Sequence, residues 1–141
     1  MHISKSKEDT HKIAHSLAKS IKGGEVLCLY GDLGAGKTEF AKAVASFFGV
    51  DNLLVKSPTY NYIRFYSKNG RKIFHIDLYR IEKLDDLLAQ EIEEIFEDKN
   101  NLVMIEWAEK MSEILPAKRI DITIEHVDNN SRKIKIDRRA A

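Results

Sequence analysis

Tyr30–Phe40 reads YGDLGAGKTEF and follows directly on the apolar run that ends at Tyr30; it holds three of the seven glycines in the chain. Gly31, Gly36, Lys37 and Thr38 have the spacing G-x-x-x-x-G-K-[ST], that of a phosphate-binding loop. The residue types follow from the ligand. Backbone N–H groups must close around a phosphate, side chains would obstruct them, and the N-terminus of the next helix adds partial positive charge. Gly31, Asp32, Leu33, Gly34, Ala35, Gly36, Lys37, Thr38 and Glu39 are therefore the expected nucleotide-binding residues. Lys37 would reach the β- and γ-phosphates, and the Thr38 hydroxyl would ligate Mg²⁺.

The neighbours supply the context this motif needs. Val26–Tyr30 is a continuous apolar run, as in a strand covered on both faces, and Lys37–Phe48 is a helix with Ala41, Val44, Ala45 and Phe48 on one side. Upstream, Ser6 and Asp9 have capping-box spacing. Ile13, Ala14, Leu17, Ala18 and Ile21 then share a helical face, and Gly23–Gly24 stops the helix.

Downstream, Thr59–Tyr66 and Arg71–Leu78 are β-branched and aromatic, and Asn69–Gly70 between them predicts an antiparallel hairpin. Leu84–Phe96 returns to helical spacing. Leu102–Ile105 reads as a second buried strand, Glu109–Leu115 as a short helix stopped by Pro116, and Ile120–Glu125 with Lys133–Asp137 as a second hairpin turned at VDNN. The prediction is one α/β domain over residues 1–141: a P-loop NTPase-like mixed parallel and antiparallel sheet flanked by helices.

Turnover needs a carboxylate near the metal and a group that positions the attacking water. Asp77 closes the strand IFHID and Glu106 closes LVMIE. In open α/β sheets the ligand crevice lies at the carboxyl ends of parallel strands, so both acids would face the metal if both strands run parallel to Val26–Tyr30. Lys37, Asp77 and Glu106 are the candidate catalytic residues; Thr38, Asp77 and Glu106 are the candidate metal ligands. His75 shares a strand face with Asp77 and is read as structural. In SPTY, Pro58 turns Ser57 away from helix and Thr59 opens a strand, which could present a hydroxyl to a γ-phosphate or could be a plain strand entry. Trp107 is read as core or ring packing, with a partner contact or a nucleotide-side role as the alternative.

Composition sets outer limits. No apolar run approaches the roughly 20 residues that span a bilayer, and MHISKSKEDTHKI carries no secretory apolar stretch, so a cytoplasmic protein without a membrane partner is expected. With 23 Lys+Arg against 22 Asp+Glu there is no overall field to attract a polyanion, and the basic ends read as solvated surface. The lone Cys28 reads as a small buried hydrophobe.

With GDLGAGKT, SPTY, HIDLYR and IEWAE in this order, nearly the whole chain resembles the TsaE (YjeE) family of tRNA threonylcarbamoyladenosine biosynthesis. The resemblance implies a small P-loop fold that binds ATP and Mg²⁺ and serves two protein partners, TsaB and TsaD, with tRNA engaged only through that complex. It implies a switch-like role for Thr59, a Walker-B-like role for Asp77, and an acid before the tryptophan in Glu106. Two positions depart from the family pattern: Glu39 stands where a second Thr or Ser is frequent, and Ala108 where Pro is frequent.

The leading reading is a slow ATPase accelerated by its partners. The alternatives are a nucleotide switch without useful turnover and a small-molecule kinase. A kinase would need an acceptor pocket and a lid, and no lid-sized insertion is present. An N-K-x-D guanine-reading motif is also absent.

Overall fold

The computed structural model describes residues 1–32, 34–50, 63–68 and 70–140. Leu33 and the SPTY stretch with Thr59 lie outside them. The elements in chain order are β1 (His2–Ser4), α1 (Lys7–Ala18), β2 (Val26–Tyr30), α2 (Lys37–Phe47), β3 (Ile63–Lys68), β4 (Arg71–Asp77), α3 (Asp86–Glu97) and β5 (Asn101–Glu106). A 3₁₀ helix (Ala108–Ile114), β6 (Arg119–His126) and β7 (Arg132–Arg139) follow.

The strands form one seven-stranded sheet in the order β1-β7-β6-β2-β5-β4-β3. Its centre is parallel, β2 pairing with both β5 and β6, and β4 with β5. Its flanks are antiparallel: β3 on β4, β7 on β6, and β1 on β7. The expected α/β mixed sheet is therefore observed.

Alternation along β2 divides the core. Leu27 and Leu29 pack with α1 and α2 through Ala14, Leu17, Phe40 and Val44. Val26 and Cys28 face the other way, toward Ile92 of α3 and Met111 of the 3₁₀ helix. Leu27, Leu29, Phe40 and Ile105 are fully buried, so truncating any of them to Ala should cost about 2–5 kcal/mol, a large part of a small domain's stability.

Over the described residues the hairpin strands and most helices fall where the periodicity places them; residues 59–62 of the first expected strand and Asn69 of its turn lie outside them. Ser6 caps α1, its Oγ accepting from the Asp9 N–H at 3.1 Å, while the Asp9 carboxylate accepts from the Lys5 N–H at 2.9 Å. The Ser6 half of the expected capping box is thus formed, while the Asp9 carboxylate takes the N–H of Lys5 in place of that of Ser6.

Three details differ from the sequence reading. First, α1 ends at Ala18; the Ser20 hydroxyl and N–H both turn back to the Leu17 carbonyl, at 2.7 and 3.0 Å, and Ile21 is buried from a tightened turn. Second, the helix expected over Glu109–Leu115 is 3₁₀, interrupted by non-helical dihedrals at Met111. Third, β1 is an additional edge strand. Three residues carry no legible period, and β1 forms because β7 offers it a free edge.

Candidate functional site

Parallel pairing brings the carboxyl ends of β2, β4 and β5 to one edge of the sheet. Leu29 and Asp77 both register with Glu106, so the two acids sit side by side where the glycine loop leaves β2. The condition set by the sequence, that both acid-bearing strands run parallel to β2, is met.

Within the loop, two glycines have different reasons. Gly31 is forced by crowding: at φ 150° it lies against β6, where a Cβ would collide with the Ile124 carbonyl oxygen. Gly36 is forced by conformation. Its φ of 111° turns the chain into α2, and a Cβ there would meet none of the described residues within 4 Å. That open side is where a ligand could approach the backbone. Among the described residues no side chain caps α2, and its first backbone bond, from the Phe40 N–H to the Gly36 carbonyl at 2.9 Å, leaves the preceding amides for a ligand. Arg132 of β7 steadies the loop from outside by donating to the Ala35 carbonyl at 3.0 Å.

Lys37 is 4% exposed. Its ammonium donates to the carbonyls of Gly31 and Asp32 and lies 4.0 Å from the centroid of the Trp107 ring. Burial lowers its pKa, against the opposing charges of Glu106, Glu109, Asp77 and Asp32. Trp107 takes left-handed dihedrals, φ 59° and ψ 42°, alone among the described non-glycine residues. Such a conformation costs of order 1–3 kcal/mol, and the indole both lies over the lysine and packs against the core cluster around Met111. Tyr79 stands 5.3 Å from Trp107, ring to ring, and Lys110 ties its segment down by donating to the carbonyls of Tyr79 and Ile81 at 2.5 and 2.9 Å.

Glu106 is the hub. The Thr38 hydroxyl reaches its two carboxylate oxygens at 2.8 and 2.9 Å, and His75 Nε2 lies 2.5 Å from Oε2. Burial alone would raise the Glu106 pKa. The hydrogen bond and charge of His75, the Thr38 hydroxyl and the Lys37 charge outweigh it, so the carboxyl is held below its ordinary value. His75, read from the sequence as structural, is 3% exposed, and its Nε2 meets one oxygen of Glu106. Asp77 lies beside Glu106, and its Oδ1 accepts from the Tyr79 N–H at 3.0 Å.

Together Gly34, Gly36, Lys37, Thr38, Glu39, Asp77, Tyr79, Glu106 and Trp107 line a cleft of about 250 Å³. A second cleft of about 410 Å³ adjoins it through Gly34, Gly36 and Glu39 and runs between the N-terminal segment, Ala35 and Arg132. The structure thus gathers all the described candidate residues at one place; Leu33 and Thr59 fall outside the described chain. Sequence reasoning missed Arg132, which it treated as surface, and His11, whose Nε2 lies 2.8 Å from Glu39 Oε1. No local pattern marks either; only the packing of α1 on α2 and the return of β7 bring them to the loop.

Comparison with known proteins agrees with this architecture. A family model described as threonylcarbamoyl adenosine biosynthesis protein TsaE matches residues 4–134. The TsaE protein of Aquifex aeolicus is 40% identical over 140 residues, covering 97% of this chain and 95% of that protein. TsaE of Rickettsia conorii is 37% identical, covering 96% and 77% respectively. The crystal structure of Bacillus subtilis YdiB superposes with a TM-score of 0.80 at 30% identity, covering 99% of this chain and 84% of that one. On the sheet, the loop and these matches, the chain belongs to the TsaE family of tRNA threonylcarbamoyladenosine biosynthesis proteins.

Proposed function

We propose that the chain binds ATP with Mg²⁺ in the cleft between the glycine loop and the ends of β4 and β5, and hydrolyses it in support of a TsaB–TsaD complex. The observation that carries this reading is the Thr38–Glu106 contact, which joins the motif hydroxyl to a buried, ionised carboxylate at the mouth of an uncapped helix.

The residues fit such a ligand. The open side of Gly36 and the free first-turn amides of α2 suit a phosphate, and Lys37 would exchange the carbonyls of Gly31 and Asp32 for phosphate oxygens. Among the described residues no group of three or more His, Cys, Asp or Glu is arranged to hold a metal. Mg²⁺ needs none, since it keeps several waters and shares its shell with phosphates. Thr38, Glu106 and Asp77 would hold it, and the ion would neutralise charge on the phosphates.

In this scheme His75 keeps Glu106 oriented and ionised, Glu106 and Asp77 position a water, and Lys37 balances developing negative charge. Among the described residues, Tyr79 on the wall of the cleft is 43% exposed to solvent. Water there weakens every electrostatic contact inside, so turnover by the chain alone is expected to be slow, and a partner that covers the opening to accelerate it. The test is steady-state phosphate release with and without TsaB and TsaD, for the wild type and Lys37→Ala. Stimulation in the wild type and its loss in the variant are expected. Undiminished turnover in a folded Lys37→Ala protein would remove the phosphate-loop assignment, and equal turnover with and without partners would leave a self-sufficient enzyme.

A further inference from the structure

Glu39 occupies an odd place for an acid. It follows Thr38 in the first turn of α2 and lines both clefts, so that it stands at their junction with Gly34 and Gly36. A carboxylate there would repel any phosphate that came to rest against it. Its orientation is nevertheless secured from another helix, with His11 Nε2 of α1 lying 2.8 Å from Oε1. His11 in turn stands in a row along α1 with His15, whose Nε2 is 3.1 Å from Ser46 Oγ of α2, so both imidazoles join the two helices. Among the described residues Glu39 Oε2 makes no hydrogen bond, and the side chain is 34% exposed.

The order of groups in a nucleotide resolves the oddity. With phosphates in the smaller cleft and the base in the larger, the unit that crosses the junction is the ribose. Ribose presents hydroxyl donors, and an ionised carboxylate is an acceptor only. A carboxylate that accepts from ribose hydroxyls is a familiar device on an unrelated nucleotide-binding fold. We propose that Glu39, oriented by His11, accepts a hydrogen bond from a ribose hydroxyl of the bound nucleotide and thereby recognises the sugar. Glu39 is the contacting residue and His11 its positioning residue. The inference rests on the nucleotide reading above and goes beyond it by assigning sugar recognition to Glu39.

The experiment is equilibrium titration calorimetry with ADP, 2′-deoxy-ADP and 3′-deoxy-ADP, each with Mg²⁺, so that no turnover is involved. Wild-type protein is expected to bind at least one deoxy analogue about tenfold or more weakly than ADP, the loss typical of a hydrogen bond to a charged acceptor. In Glu39→Thr that ratio should fall to about one. In His11→Ala it should fall toward one, and in His11→Gln, which restores a donor near the position of Nε2, it should recover. A merely structural role for His11 would shift all three affinities together and leave the ratio intact. Equal affinities for the three ligands in wild type, or an unchanged ratio in Glu39→Thr, would overturn the proposal while leaving nucleotide binding in place. No binding of ADP at all would overturn the nucleotide reading itself and this inference with it.

Discussion

The Thr38 hydroxyl stands 2.8 Å from Glu106 Oε1 and 2.9 Å from Oε2, joining the first turn of α2 to the end of β5. Since Glu106 reaches the motif hydroxyl directly and Asp77 holds the Tyr79 N–H, the two acids are not equivalent. Glu106→Gln should lower ATP turnover by about 10²-fold or more while nucleotide affinity changes little, the pattern of a group that acts on the transition state. Asp77→Ala should show the same split with a smaller drop. Single-turnover hydrolysis paired with binding titrations checks both, and normal rates in the two variants would make the acids structural.

The environment of Glu106 also sets an acid limit on stability. Its carboxyl is held below the ordinary value of 4.5, the effect of burial being exceeded by His75, Thr38 and Lys37. The unfolded chain takes up that proton first as pH falls. The stabilisation is therefore complete above about pH 4.5 and is lost as pH drops below it toward the folded-state value, with a slope of at most about 1.4 kcal/mol per pH unit. Glu106→Gln should lack this component, so its stability should fall less steeply on the acid side. Urea melts of the nucleotide-free protein across this range give the two slopes, and parallel curves would contradict the assignment.

Gly31 is held against β6 by shape. Gly31→Ala should destabilise the protein by about 1–3 kcal/mol, through collision with the Ile124 carbonyl and a φ of 150° that side chains rarely adopt. Denaturant unfolding measures this. A variant as stable as wild type would show that β6 can yield at this point.

Cys28 is fully buried, and burial, followed by the Asp121 charge, pushes its thiol up to about 12. At pH 8 the native protein should react with a thiol reagent only as fast as it opens, and at once in denaturant. Rapid native labelling would mean that the packing around β2 is looser than described.

Much of this was legible in the chain itself. YGDLGAGKTEF is a local device: a tight turn, free amides and a helix start are made by consecutive residues, so the types and their spacing announce them. The same holds for Ser6 capping α1 and for the alternation that splits β2 between two faces of the core, since each depends on neighbours a few residues apart. Pairing decided the remainder. That β4 and β5 lie parallel to β2, that His75 rather than solvent meets Glu106, that Trp107 roofs Lys37, and that His11 and Arg132 reach the loop all depend on contacts between distant segments. A sequence period tells which face a residue turns to the core, but it carries no information on which other strand or helix waits there. Side-chain partners on that face are settled only when the burial of all the elements is satisfied at once.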